Sequence, residues 1–336
     1  MAKHLLHLGF LLAVGALALK AAFMPPRLQA SLRPGEHAML DGDILVLKAF
    51  SVPKYPSGKP RQYESDVHVV SVARGADEAA ERPKAVHAKI SVNHPMRWNG
   101  WWIYQNSYDA AQEAYTVLEA VRDPFLPMAA LAGILLLLGA ALQAMRVKAK
   151  VKVKVKVKDS STSPSPSPIP SPSPIPSPSP SPTSRVASVV RFVAATAVVM
   201  LPLWIVGRAV LAKELVPALQ SPLLVPHVGA YLVSYAILIF AAFGLGERLV
   251  PFGFFLMTLA LVLGALWGKI CWGDWWQYDP KEMWSLATWL TFAGYFHFRS
   301  RARVRIWLLR FGALMIILTL TWVNFARIFR GLHSYV

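Results

Sequence analysis

Apolar stretches of bilayer length alternate with polar ones along most of the chain. The first covers residues 5–24, and others run over about 125–145, 186–208, 228–246, 250–269, 283–298 and 307–326. Each is close to the roughly 20 residues a helix needs to cross a membrane. Between the first two the period changes from helical to alternating: Asp43 to Phe50, Asp66 to Val72 and Val86 to Val92 read as strands, punctuated by Pro-Ser-Gly and Asn-Gly turns. The pattern predicts a polytopic α-helical membrane protein of about seven transmembrane helices, with one extracytoplasmic β-rich domain inserted between the first two. The segments are a first helix at 1–24, a β-rich domain at 25–124, a second helix at 125–146, a basic and then Ser/Pro-rich linker at 147–185, and a transmembrane domain at 186–336. Ala16-Leu-Ala18 allows the first stretch to be read as a cleaved signal peptide. Its continuation through Phe23 to spanning length favours a retained anchor.

Composition agrees with this division. Of the 336 residues, 55% are hydrophobic and 16% charged, which excludes an ordinary soluble enzyme. The formal net charge of +17 sits in loops beside apolar helices, chiefly Lys148 to Lys158 and Arg299 to Arg310. That is the distribution of cytoplasmic loops under the positive-inside rule, and no nucleic-acid-binding motif accompanies it. The Val-Lys run suits contact with anionic lipid, and the Ser-Pro tract at 160–184 has no apolar content to bury and reads as an extended linker. Counting spans from these basic loops places His227, the segment Trp272 to Trp284 and His333 on the outer face.

The segment from Trp272 to Trp284 carries the densest chemistry. Asp279 reads as an N-cap, Pro280 as the first helical residue and Glu282 as the reciprocal partner, a capping box opening an apolar helix. Trp272, Trp275, Trp276 and Trp284 offer faces for stacking. The helix N-terminus and Lys281 offer a site for carboxylates. A planar anionic macrocycle such as haem matches both halves. An interfacial aromatic belt explains one or two of these indoles but not their fusion to a cap. Asp274 reads as partly exposed, in contact with an incoming ligand or simply forming a turn. Haem iron takes histidine as an axial ligand, and His227 and His333 flank the outer face. His297 lies about 24 Å deeper than Lys281 along the same helix, near the cytoplasmic side. His4 and His7, at the inner end of the first stretch, lie at comparable depth, although a polar residue before a signal stretch is their simpler role. His94, Trp101 and Trp102 read as buried strand residues. The single cysteine, Cys271, excludes an intrachain disulfide, a Cys-x-x-Cys pair and a Cys-x-x-Cys-His attachment site, so any haem held is bound without thioether links.

Trp-Gly-x-x-Trp-x-x-Asp-Pro-Lys-Glu-x-Trp resembles the tryptophan-rich "WWD" signature of haem-handling proteins in cytochrome c maturation, of the CcsA/ResC type. Tyr278 departs from it, standing where the family commonly has Trp. The stretches around His227 and from Gly331 to Tyr335 resemble the segments bearing that family's outer haem-ligand histidines. The stretch from Val92 to Tyr108 resembles the late part of the ResB/CcsB soluble domain, so the chain reads as a truncated ResB-like half fused to a CcsA-like half. The resemblance implies cytochrome c maturation of the System II type. It implies that haem b, bound non-covalently as substrate, is received inside the membrane with the help of His297, held outside by His227 and His333, and presented to apocytochrome c for thioether ligation. It further implies a bacterial inner membrane, a periplasmic active face, and a further ResB/CcsB-like or thiol-reducing membrane partner for a chain short for a full synthase. A haem exporter or relay without ligase activity, and a non-catalytic membrane scaffold subunit, are the alternatives.

Overall fold

A computed structural model describes residues 1–72, 85–159 and 214–325. The expected span at 186–208, the Ser-Pro tract and His333 lie outside the described residues. Helix α1 (Ala2–Phe23) leads into eight strands: β1 (Leu28–Leu32), β2 (His37–Leu40), β3 (Asp43–Ser51), β4 (Glu64–Val70), β5 (Ala85–Ser91), β6 (Met96–Trp98), β7 (Trp101–Tyr108) and β8 (Thr116–Val121). Helices α2 (Leu126–Asp159), α3 (Leu224–Ala242), α4 (Val250–Trp272), α5 (Pro280–His297) and α6 (Ala302–Phe325) follow.

The three strands expected from alternation are β3, β4 and β5. They form, with β2, one antiparallel sheet in the order β2-β3-β4-β5, and the second sheet runs β1-β8-β7-β6. The sheets enclose a shared core in which Leu45, Leu47, Val67, Val69 and Ile90 of one meet Trp98, Trp101, Ile103 and Leu118 of the other. Strand alternation causes this, since every second residue of β4 is buried and its neighbours are not. A polar layer crosses the sandwich where the Ser65 hydroxyl donates to Gln105 at 2.6 Å and the Gln105 amide donates to Thr116 at 2.6 Å. Trp101 is buried as expected, but His94 is exposed in the turn after β5, where the Asn93 left-handed backbone reverses the chain before β6.

Five described helices are long and apolar enough to cross a bilayer: Ala2–Phe23, Leu126–Met145, Leu224–Ala242, Glu247–Trp272 and Ala302–Thr321. That is fewer than the expected seven or so. One expected span lies outside the described residues, and α5 falls short because Lys281, Glu282, Ser285, Thr288, Thr291 and His297 dilute its apolar content. Helix α2 also continues beyond the expected end at 146, through the Val-Lys run to Asp159. Extension of an existing helix needs no new nucleus, and Lys is a good helix former.

The membrane helices meet along short, specific contacts. Helices α1 and α2 touch backbone to backbone, for a Cβ on Gly9 would stand 2.9 Å from the Leu136 nitrogen, and one on Gly139 2.9 Å from the Leu6 nitrogen. Small residues permit such approach in lipid, where close packing replaces hydrophobic drive. The Ser234 hydroxyl donates to the Gly253 carbonyl at 2.7 Å, joining α3 to α4, and the Trp289 indole donates to Thr258 at 2.9 Å, joining α5 to α4. Phe254, Phe292 and Tyr295 fill the centre. The sandwich is pinned above by residues 214–220, where Asn93 donates to the Pro217 carbonyl at 2.9 Å and Tyr55 to that of Leu215 at 3.0 Å.

Candidate functional site

The tryptophan segment is the connection between α4 and α5. Helix α4 ends where Gly273 turns left-handed at φ +82° and its N–H bonds the Lys269 carbonyl at 3.1 Å. Helix α5 opens with the expected capping box: Asp279 accepts from the Lys281 N–H at 2.9 Å and from the N–H of Glu282, whose carboxylate accepts from Asp279 N at 3.3 Å and Gln277 N at 2.8 Å. Because Pro280 has no N–H, the cap takes up the first-turn donors expected to hold a ligand's carboxylates. Tyr278, the departure from the WWD pattern, is 60% exposed with φ +57°, an uncommon conformation for a non-glycine residue, set between the two bonds to Glu282.

The indoles are distributed over two faces of α4 instead of forming one plate. Trp272 stacks on Trp267, with ring centroids 6.2 Å apart and planes at 26°. Trp267 in turn meets the His227 ring edge-on at 5.7 Å, and Tyr231 meets it at 5.2 Å. His227 occupies the first turn of α3, and its Nδ1–H donates to the Ala260 carbonyl at 2.8 Å. That bond gives the lone pair to Nε2, the tautomer a metal-ligating imidazole requires. Gly264 makes room for the ring, since a Cβ there would stand 2.5 Å from His227 Cε1. On the other face, Trp275 and Trp276 line an apolar cavity of about 370 Å³ between α1, α2, α4 and α5, together with Phe10, Leu17, Val262 and Trp289. Trp284 is half-buried in the first turns of α5. The indole N–H groups of Trp267 and Trp275 are buried without a hydrogen-bond partner among the described residues, the kind of orphan donor a ligand satisfies.

Charge is exchanged across the seam between the N-terminal and C-terminal parts. Asp274, expected partly exposed, is buried and ion-paired with both Lys20 near the end of α1 and Arg27 just before β1. Lys269 of α4 pairs with Asp123 at 3.1 Å and donates to the Gly273 carbonyl at 3.0 Å, while Arg27 also holds Glu119 at 3.0 Å. A folded loop beneath the sandwich excludes water from Asp274, which no local pattern announces. Tyr104 packs against the same turn, and burial pushes its hydroxyl well above the usual phenol range.

At the far end of α5, His297 Nδ1 donates to the Ala293 carbonyl at 3.0 Å, and its Nε2 stands 3.0 Å from Nε2 of His7. The rings are tilted at 42° with centroids 5.2 Å apart. Between this pair and the cavity, Phe10 stacks on Trp289 at 6.1 Å. Lys20, Trp267, Tyr231, Trp289 and Gly264 were not singled out from sequence. A lone lysine in an apolar span was a usable signal for Lys20, because ionisable residues there are costly and functional by default.

A bundle of membrane helices with a β-sandwich resting on a capped tryptophan loop is the architecture these residues build. The chain belongs to the ResB-like family, whose model matches residues 21–225, and the family model described as Cytochrome C assembly protein matches residues 244–330. A ResB-like part and a CcsA-like part are thus joined in one chain. Among curated relatives, cytochrome c biogenesis protein CcsA of Prochlorococcus marinus (strain MIT 9312) is 32% identical over 179 residues, covering 37% of this chain and 57% of the relative. CcsA of Chlamydomonas reinhardtii is 36% identical over 115 residues, covering 26% of this chain and 33% of the relative. The chain therefore spans about half the length of the curated relatives it matches.

Proposed function

We propose that this chain acts in cytochrome c maturation, receiving haem b at the inner side of a bacterial cytoplasmic membrane and presenting it at the periplasmic face to apocytochrome c. The observation that carries the reading is the contact of His7 on α1 with His297 on α5, 3.0 Å between Nε2 atoms. The two imidazoles that would hold haem inside thus already face each other across α1 and α5, and the rings would have to separate to admit the macrocycle.

Outward of this pair, the Trp275 and Trp276 cavity gives an apolar stage, and the Trp272, Trp267 and His227 cluster gives a ligand-competent imidazole beside stacked rings. In this reading His227 and His333 hold the iron outside, and Trp284 and the cap formed by Asp279 with Lys281 fix the loop. With 186–208 and α5 also crossing, the chain has about seven spans. The protein orients and guards the ring. The two thiols of the cytochrome's Cys-x-x-Cys-His add across the haem vinyl double bonds, each S–H supplying the sulfur and the proton, so no oxidant is required. A further ResB/CcsB-like membrane protein would supply missing helices, or a thiol-reducing one would keep the cytochrome's thiols reduced.

Coexpression with an apocytochrome tests this. Covalent haem on the reporter, lost in His227→Ala and His333→Ala chains, is the expected result. Haem bound to the purified chain without reporter ligation assigns a relay, and a purified chain with no Soret band after haem-replete growth assigns a scaffold.

A further inference from the structure

We infer that Lys20 is the cation that takes a carboxylate of the planar ligand, exchanging its pairing with Asp274 for the ligand. The inference rests on the haem reading above and names the group that recognises the ligand's acidic edge. Three observations converge on it. First, the α5 N-terminus is occupied by its own cap, with Glu282 accepting from Gln277 N and Asp279 N and Asp279 accepting from Lys281 N and Glu282 N. Lys281 is not among the residues lining the cavity, whereas Lys20 and Asp123 form its charged wall. Second, Lys20 adjoins the aromatic surface: Trp275 and Trp276 line the same cavity, and the Trp275 N–H is buried without a partner among the described residues. Stacking area and a cation therefore line one space that is otherwise apolar except for Asp123.

Third, the local charges permit the exchange. Asp274 is held by Arg27 as well as by Lys20. When Lys20 turns to a ligand carboxylate, Asp274 keeps Arg27, so no buried acid is left alone. Lys269 stays with Asp123, and Glu119 keeps its bonds from Gln29 and Asn106 in addition to Arg27. The cations Lys20, Arg27 and Lys269 balance the carboxylates Asp274, Glu119 and Asp123, so an incoming carboxylate adds one negative charge to the cluster, and Lys20 is the cation that offsets it while Arg27 holds Asp274. A four-carbon stem suits this movement, because a lysine ammonium makes a non-directional contact and swings between partners.

The test compares zinc protoporphyrin with its dimethyl ester, titrated by fluorescence against the full chain in lipid nanodiscs, with empty discs as background. The wild-type chain is expected to bind the diacid at least about tenfold tighter than the diester, about 1.4 kcal/mol. Lys20→Gln brings the ratio to about one by weakening only the diacid, Lys20→Arg keeps the preference, and Asp274→Asn, which frees Lys20 of its competitor, tightens the diacid several-fold. Equal weakening of both ligands by Lys20→Gln, or an unchanged ratio, overturns the assignment of Lys20. Wild-type binding of both porphyrins without preference overturns Lys20 alone, whereas binding of neither overturns the haem reading itself.

Discussion

Gly264→Ala isolates the role of His227 without touching a polar group. The added Cβ would lie 2.5 Å from Cε1 and 3.0 Å from Nδ1 of His227, against roughly 3.5–4.0 Å for ordinary carbon contact. The ring must withdraw by about 1 Å. Overpacking costs about 1–3 kcal/mol, and loss of the bond to Ala260 adds about 0.5–1.5 kcal/mol. Replacing a helical glycine by alanine returns about 1 kcal/mol. The net destabilisation, roughly 0.5–3.5 kcal/mol, leaves the chain folded, but a 1 Å displacement exceeds the about 0.5 Å tolerance of a ligand constellation. The variant, purified and reconstituted with haem in a His297→Ala background to silence the inner pair, should show a shifted or lost Soret band with a melting temperature only a few degrees lower. A Gly264→Ala chain with the Gly264 spectrum refutes the placement of His227 as ligand.

Other expectations follow from the same contacts. His7→Ala and His297→Ala should reduce inner-site haem to the same level, with the double variant no worse than either; additive losses in the reduced-haem spectrum would separate the two residues. Gly139→Leu forces α1 from α2 at a backbone contact and should cost at least about 1–3 kcal/mol, read as earlier thermal aggregation in detergent. Asp279→Ala removes the cap and should cost about 0.5–2 kcal/mol, with faster amide exchange confined to the start of α5. Asp123→Asn strands the Lys269 ammonium, whose side chain is 4% exposed, and should cost about 3–5 kcal/mol, more than removing both charges together by Asp123→Asn with Lys269→Met.

Elements with a strong local signature were legible in the chain. Strands β3, β4 and β5 alternate because one face meets the opposing sheet, and the Asp279-Pro280-Lys281-Glu282 cap is spelled out within four residues. The count of crossings was less so, because α5 trades apolar content for the polar groups that form its cap and for His297. Asp274, read as partly exposed, is buried for a reason the local sequence does not carry. Its burial comes from Lys20 and Arg27, some 250 residues earlier in the chain, and only the docking of the sandwich brings them together. The separation of Trp272 from Trp275 and Trp276 has the same origin: the turn at Gly273 sends successive indoles to opposite sides of α4, toward α3 in one case and α1 in the other.

Local order along the chain was enough to mark a polytopic membrane protein, the β-rich insertion and the capped tryptophan helix, because periodicity and capping depend on near neighbours. Partnership was not. That His7 faces His297, that Gly264 cradles His227 and that Lys20 stands in the tryptophan-lined cavity depend on how α1 and α3 dock against α4 and α5. Such contacts join residues far apart in sequence, and packing in three dimensions is what selects among the many pairings that the same local patterns allow.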